Sequence, residues 1–202
     1  MAHVELSDEQ RLGLNAALSE ARCRGVSVDE PGGIVRIQLD VLTLPESGPP
    51  PPDAAVSLVL SGVARIAASF RLIRWDAHEP LVHPLTPAGL DEAVRSFEGG
   101  ALHGWEFIDL PESSWAIWRE MLSFDVTLGD RTGQHVLEMS QEEGMIDPRV
   151  LDLRVWFDTI SVEGITGQPL SLTDFIAGGV RWWAAHDSGD PRTLVDDVAP
   201  PL

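Results

Sequence analysis

A long alternating segment between residues 56 and 74 is the strongest constraint that the sequence places on the fold. Nearly all of its even-numbered positions are apolar: Val56, Leu58, Leu60, Ala64, Ile66, Ala68, Phe70 and Leu72. Such alternation is typical of a β-strand that buries one face. One straight strand would run about 60 Å at ~3.3 Å per residue, whereas a domain of this size has a radius of gyration of about 16 Å. The segment must therefore bend, and Ser61-Gly62 is the place for a bulge, a sheet corner or a tight hairpin.

Other alternating segments predict a fold rich in antiparallel strands. Val26-Ser27-Val28 and residues 34–43 flank a loop rich in turn-forming residues and predict a hairpin. Residues 122–128 and 135–141, joined by a Gly-Asp-Arg-Thr-Gly turn, predict the clearest hairpin of the chain.

Two further strands are predicted from the same pattern. Residues 103–110 form one of them. Residues 150–163 form a longer strand, whose apolar phase changes near Asp158-Thr159. This change indicates a bulge or a change in which face is covered.

Helices are predicted near both ends of the chain. Ser7-Asp8-Glu9-Gln10 has the form of a capping box, so we expect an amphipathic helix over residues 8–24. Thr173-Asp174 predicts the start of a final helix. Within that helix, Gly178-Gly179 indicates a close approach or a kink. Because neighbouring helical residues point about 100° apart, we expect one indole of Trp182-Trp183 in the core and the other at a boundary or an interface.

Shorter helices and connections complete this outline. Residues 87–97 predict a short helix, and residues 113–120 a helical turn that carries Trp115 and Trp118. Pro49-Pro50-Pro51-Pro52 predicts an extended segment, either a stiff connection or a ligand for an aromatic-lined groove. Residues 187–202 are expected to form a loose acidic tail.

No segment has the composition of an interdomain linker. We therefore expect residues 1–202 to form a single α+β domain. Its mostly antiparallel sheet would have about seven or eight strands, with an N-terminal and a C-terminal helix. The alternative is a β-sandwich with peripheral helices.

The charge balance excludes several classes of partner. The chain has 32 Asp and Glu against 14 Arg, no Lys and a net charge of −18, and 18 of the acids lie in residues 102–202. Nucleic acids and anionic membranes would be repelled. Because the coding bias of a high-GC bacterial genome explains the missing lysine, the arginines need not be a functional choice.

Targeting signals and reactive cysteines are not predicted. The acidic N-terminus is unlike a secretory signal, and no apolar run is long enough to span a membrane, so we expect a cytoplasmic protein. The single cysteine, Cys23, is expected to be a small buried hydrophobic residue rather than a reactive thiol.

Two strands offer candidate ligand-binding residues. In the predicted strand of residues 103–110, His103 and Trp105 share one face and Glu106 lies on the other. These residues can form an acid–base site beside aromatic rings, or they can belong to an edge strand whose polar ends are solvated. In the predicted strand of residues 150–163, a row of alternate residues shares one face: Asp152, Arg154 and Trp156. That row predicts a cross-strand ion pair, or a pocket with an arginine as anion anchor.

Motifs for metals and cofactors are not found. His78 and His83 lie near two carboxylates, but their spacing matches no closed metal motif and a solvated loop is favoured. Phosphate loops, dinucleotide fingerprints and nucleophile elbows are missing from the sequence. We therefore expect no metal, no cofactor and no catalytic residue that the sequence alone can identify.

These observations favour a non-enzymatic binding protein over an enzyme. The leading hypothesis is an acidic interaction protein that docks a basic protein, as inhibitors and immunity-type proteins do. The alternative is a small-molecule-binding or hydrolytic domain with a pocket near His103, Glu106 and Arg154. A third hypothesis is a homo-oligomer joined through a β-edge or through the helix that carries Trp182-Trp183.

Overall fold

The computed structural model describes residues 6–52, 54–102, 107–110, 114–129 and 132–194. Within these ranges the helices are α1 (Asp8–Leu18), α2 (Leu90–Arg95), α3 (Trp115–Trp118) and α4 (Leu172–Asp187). The strands are β1 (Arg22–Asp29), β2 (Ile34–Asp40), β3 (Ala55–Ser61), β4 (Arg65–Leu72), β5 (Leu81–Val82), β6 (Phe124–Thr127), β7 (His135–Glu143), β8 (Arg149–Phe157), β9 (Thr159–Gly164) and β10 (Pro169–Leu170). This architecture confirms the α+β class. Its strands form two sheets rather than the expected one. They are also more numerous than expected, because β5 and β10 have two residues each and leave no sequence pattern, and because the predicted strand of residues 150–163 is divided into β8 and β9.

One long bent ribbon belongs to both sheets of the fold. The first sheet has the order β1-β2-β3-β9-β10, and the second has the order β5-β4-β8-β7 with β6 also paired to β4. β3 pairs with β9 in the first sheet, and their continuations β4 and β8 pair in the second. All of these pairings are antiparallel.

Both strands of the ribbon bend at the same level. The Asp158 N–H donates to the Ser61 carbonyl at 3.0 Å, and the Ala64 N–H donates to the Trp156 carbonyl at 2.9 Å. The bend at Ser61-Gly62 is therefore a sheet corner, and the phase change at Asp158 is the matching corner of the neighbouring strand. Gly62 has φ +65°, and a Cβ at this position would lie 2.9 Å from the Cβ of Asp158. A residue with a side chain would be strained and crowded here.

The predicted hairpin of residues 122–128 and 135–141 is wrong. β6 pairs with β4, with Val126 opposite Ile66, whereas β7 pairs with β8, with Leu137 opposite Val155. Alternation identifies a strand and its buried face, but it does not specify the neighbouring strand. Here the open edge of β4 is the partner of β6.

The first helix ends earlier than predicted. α1 has the expected capping box of Ser7 and Gln10 but stops at Leu18, and Glu20 adopts a left-handed conformation with φ 58°. Beyond this turn Cys23 pairs with Leu39 in the first sheet. The apolar residues after Leu18 therefore follow the period of a strand rather than that of a helix.

The predicted strand at residues 103–110 is only partly within the described chain. Residues 103–106 lie outside it, and residues 107–110 form a single bridge, between Ile108 and Leu137 on the edge of β7. The short helices at residues 87–97 and 113–120 are present as α2, preceded by a 3-10 turn, and as α3.

The C-terminal region packs more closely than predicted. α4 is capped by Ser171, two residues before the expected cap. Trp182 and Trp183 are both buried, 2% and 6% exposed, so the expectation that one indole lies at a boundary is wrong. Both indoles of α4 are covered by other parts of the chain. Trp182 and Trp183 pack with Leu44, and the Trp183 indole N–H donates to the Ala16 carbonyl of α1 at 2.9 Å.

Residues 187–194 do not form a loose tail. Asp187 is the last residue of α4, Thr193 is 1% exposed, and the Arg192 guanidinium donates to the Gly48 carbonyl at 3.2 Å. The tail prediction for residues 195–202 falls outside the described residues.

A continuous hydrophobic cluster includes side chains from both sheets and from α1, α2 and α4. In β8, Leu153 and Val155 belong to this core and are at most 1% exposed. Because strand residues alternate between faces, the intervening Asp152, Arg154 and Trp156 lie on the opposite face of the second sheet. The fold thereby places the predicted polar row away from the hydrophobic core.

Candidate functional site

The polar row on β8 forms ion pairs with neighbouring strands. Asp152 binds the Arg71 guanidinium of β4, and both side chains are about one-tenth exposed. Arg154 binds the Glu138 carboxylate directly opposite it on β7. These are the cross-strand ion pairs that the sequence pattern predicts.

Two tryptophans and two arginines form a cluster over this face. The Arg154 guanidinium lies 5.0 Å from the Trp156 ring and 5.2 Å from the Trp115 ring. Arg65 lies 4.5 Å and 5.5 Å from the same two rings, and the rings meet edge to face at 5.4 Å. We call these four residues the arginine–tryptophan cluster.

Both arginines of the cluster also bind carboxylates. Arg65 donates two hydrogen bonds to Asp125, at 2.7 and 2.6 Å, and the bond to this carboxylate raises the pKa of Arg65. Burial lowers the pKa of Arg154, while Glu138 opposes that shift. An anion that bound either arginine would therefore have to compete with an internal carboxylate. The contacts of both arginines with Trp115 hold α3 against the second sheet.

The remaining predicted ligand-binding residues are not placed by the structure. His103, Trp105 and Glu106 lie outside the described residues, so the pocket that would combine them with Arg154 stays a prediction. Nothing in the sequence identified Arg65, Trp115 or Glu138 as neighbours of Arg154, because their proximity depends on strand register.

A second polar arrangement joins Asp109 to β7. The Asp109 carboxylate lies 2.7 Å from His135 Nδ1 and accepts the Val136 N–H at 2.7 Å. His135 is 5% exposed, and within the described ranges its Nε2 has no hydrogen-bond partner. These bonds connect Asp109, and with it residues 107–110, to the edge of β7.

His78 and His83, the two histidines considered as metal ligands, belong neither to the arginine–tryptophan cluster nor to the arrangement of Asp109 and His135. His78 is exposed, and the His83 ring packs 5.1 Å from Phe70. Among the residues that the structure describes, no three His, Cys, Asp or Glu side chains are grouped closely enough to hold a metal ion.

Cys23 is fully buried, and burial raises its pKa to about 12. We expect iodoacetamide at neutral pH to alkylate the native protein at least about a hundredfold more slowly than the unfolded chain, because the thiolate is the reactive form. Mass spectrometry would measure this, since the sequence has a single cysteine. Equal rates for native and unfolded protein would contradict the expectation.

An exposed apolar surface lies at one end of the second sheet. Trp75 is 79% exposed, and Met145 and Ile146 in the β7–β8 turn are 100% and 76% exposed. The Ile73 N–H donates to the Pro148 carbonyl at 2.9 Å, and the Trp75 N–H donates to Asp147 at 3.3 Å. These bonds hold the two loops side by side. We call Trp75, Met145 and Ile146 the apolar tip.

A cavity of about 410 Å³ lies at the first sheet, beside the start of α4. It shares no residue with the arginine–tryptophan cluster, which belongs to the second sheet. Its lining residues are Val41, Thr43, Pro51, Ala54, Ala55, Val56, Gly164, Ile165, Gln168, Leu170, Ser171, Asp174 and Phe175. We call it the first-sheet cavity, and no sequence motif pointed to it.

Comparison of the chain with protein-family models, with curated proteins and with solved structures finds no match. No helix in the described part of the chain is long and apolar enough to span a membrane.

Proposed function

We propose that the chain is a non-enzymatic cytoplasmic binding protein that docks a basic protein partner through the apolar tip. The observation that carries this proposal is the exposure of Trp75 beside Met145 and Ile146 on an acidic surface. Inhibitor-like or immunity-like proteins are the kind of binding protein that such a surface suits.

The apolar tip has the composition of a binding hot spot. An indole contributes a large apolar area when a partner covers it, and tryptophan is enriched among the residues that dominate interface energies. Of the tryptophans in the described residues, Trp75 is the one that is mostly exposed; the others are partly or fully buried. Backbone hydrogen bonding between the two loops also holds the tip in place, which reduces the entropy lost on binding.

Local charge favours a basic partner. Five carboxylates lie in the two loops and the adjoining end of β7, at Asp76, Glu79, Glu142, Glu143 and Asp147. Arg74 in the first loop is already paired with Asp76, and Arg149 at the start of β8 is paired with Glu143. Since the Debye length is about 8 Å at physiological salt, these nearby acids matter more for binding than the total charge does. A partner with an apolar pocket and a rim of lysine or arginine would complement the tip.

The test compares the wild-type protein with a Trp75→Ser/Ile146→Ser variant as immobilised bait, at about 50 mM and about 500 mM salt. We expect the wild type to retain a basic protein at low salt. The variant should bind that protein at least about tenfold more weakly, because a central tryptophan commonly contributes 2 kcal/mol or more. Binding constants measured with the recovered protein give the result.

Ile117→Ser provides the matched control, because Ile117 is 73% exposed on α3, away from the tip. It should bind the partner as the wild type does. Equal binding by the tip variant, or binding that is insensitive to salt, would contradict the proposal. A solution mass that halves in the tip variant would instead show that the tip joins two copies of this chain.

A further inference from the structure

We propose that the first-sheet cavity binds a small amphiphile with an apolar body and a cationic ammonium head, held by Asp174. This site is separate from the apolar tip and does not depend on the proposed protein partner. A cavity of about 410 Å³ falls within the size range of small-molecule sites, which is about 300–1,000 Å³.

The wall of the cavity suits an apolar ligand body. Val41, Val56 and Phe175 are 6%, 8% and 8% exposed, and each contributes to the wall. Ile165 and Leu170 also line it and are 69% and 38% exposed, so a ligand would cover apolar surface that now faces water. Burial of these side chains would supply the driving force for binding.

The charge of the lining determines which head group fits. Among the described residues that line the cavity, Asp174 is the single charged one. Within the described chain, no hydrogen bond or ion pair engages its carboxylate. The other polar groups are hydroxyls and an amide, on Thr43, Ser171 and Gln168. An ammonium group at the mouth can therefore pair with Asp174, whereas a carboxylate ligand would meet a like charge.

The position of Asp174 on α4 introduces an opposing effect. It lies in the first turn of the helix, whose N-terminus carries the equivalent of about half a positive charge. The full negative charge of the carboxylate exceeds this partial charge, and Asp174 is itself one of the lining residues of the cavity. The net local preference is for a cation.

The test uses three probes of equal chain length, octylammonium, octanol and octanoate, titrated by calorimetry into the full protein. We expect octylammonium to bind at least about tenfold more tightly than octanoate, with octanol between them. Asp174→Asn should remove this discrimination by weakening octylammonium about tenfold and leaving octanol unchanged.

Asp187→Asn is the matched control, because it removes the same charge from the other end of α4. It should leave the preference for octylammonium intact, which separates a local ion pair from the general attraction of an acidic protein for cations. Leu170→Trp should obstruct the mouth and weaken all three probes. Leu170 is partly exposed in a two-residue strand, so this change is compatible with folding.

Several results would overturn the proposal. They are the failure of octylammonium to bind at millimolar concentration, equal affinities for octylammonium and octanoate, and equal effects of Asp174→Asn and Asp187→Asn. Unchanged binding in Leu170→Trp would place the probes elsewhere on the protein. These measurements do not involve the apolar tip, so failure here leaves the proposed function untouched.

Discussion

Replacing Asp152 with leucine is expected to lower the free energy of unfolding by about 3–5 kcal/mol, because it removes one partner of a buried ion pair. Asp152 and Arg71 are about one-tenth exposed at their side chains, so water does not screen them well. Arginine cannot lose its proton at accessible pH. The variant would therefore leave an uncompensated charge inside the protein.

The same pair should be dispensable when both members are replaced. Burial raises the pKa of Asp152 even though Arg71 opposes this shift, which indicates that the pair does not fully offset its own desolvation. An Arg71→Met/Asp152→Leu variant keeps a similar side-chain volume without the charges. We expect its stability to return to within about 1 kcal/mol of the wild type, or to exceed it.

The two single variants should differ in their response to pH. Arg71→Met leaves a buried carboxyl group, and burial holds its native pKa above the unfolded value of about 3.9. The native state then binds the proton more tightly, so stability is lost as pH rises through the native pKa and is recovered below it. The penalty of Arg71→Met should shrink from about pH 8 to about pH 5, whereas that of Asp152→Leu should not.

Urea denaturation of the wild type, both single variants and the double variant at these two pH values would measure these effects. The difference between the sum of the single penalties and the double penalty gives the coupling between the side chains. A cost below 1 kcal/mol for Asp152→Leu, or additive penalties in the double variant, would contradict the expectation.

Gly179→Ala is expected to destabilise the protein by about 1–3 kcal/mol, although alanine is the better helix former by about 1 kcal/mol. A Cβ at Gly179 would lie 2.5 Å from the Cα of Ala17 on α1 and 2.7 Å from its Cβ. The contact is with the backbone of α1, which cannot rotate away as a side chain can. The helices would have to separate, which would disturb the bond between Trp183 and the Ala16 carbonyl.

Gly178→Ala is the matched control, since it makes the same change one residue earlier on α4. A Cβ there meets mainly the Thr43 side chain, and the nearest backbone atom, the Leu44 oxygen, lies 3.9 Å away. Because a side chain can adjust, we expect the control to lose clearly less stability than Gly179→Ala. Thermal and urea unfolding would compare the two, and a higher melting temperature for Gly179→Ala would contradict the prediction.

The close approach at Gly179 shows which part of a helix contact a sequence pattern can predict. Two glycines in a helix indicate either a kink or a neighbouring helix, and the structure has the neighbour. The partner helix, α1, lies more than 150 residues earlier in the chain. The pattern of α4 alone could not identify it, nor could it show that Trp182 and Trp183 are both covered.

The same distinction between local pattern and tertiary contact applies to the candidate sites. Alternation in β8 placed Asp152, Arg154 and Trp156 on one face, as the structure shows. Their partners, Arg71 and Glu138, became neighbours only when strand register was set. The exposure of Trp75 could have been expected from its polar, Pro-containing surroundings, but its proximity to Met145 and Ile146 could not.

The sequence by itself determined most of the longer strands and their buried faces, the capped start of α1 and the two positions where the long ribbon turns. These properties depend on the local period and conformation of the backbone, which neighbouring residues encode. Only the tertiary structure decided that the turns are sheet corners, that β6 pairs with β4, and which carboxylates meet Arg65, Arg71 and Arg154. Pairing and exposure depend on residues far apart in the chain, and the core that the whole chain buries selects among them.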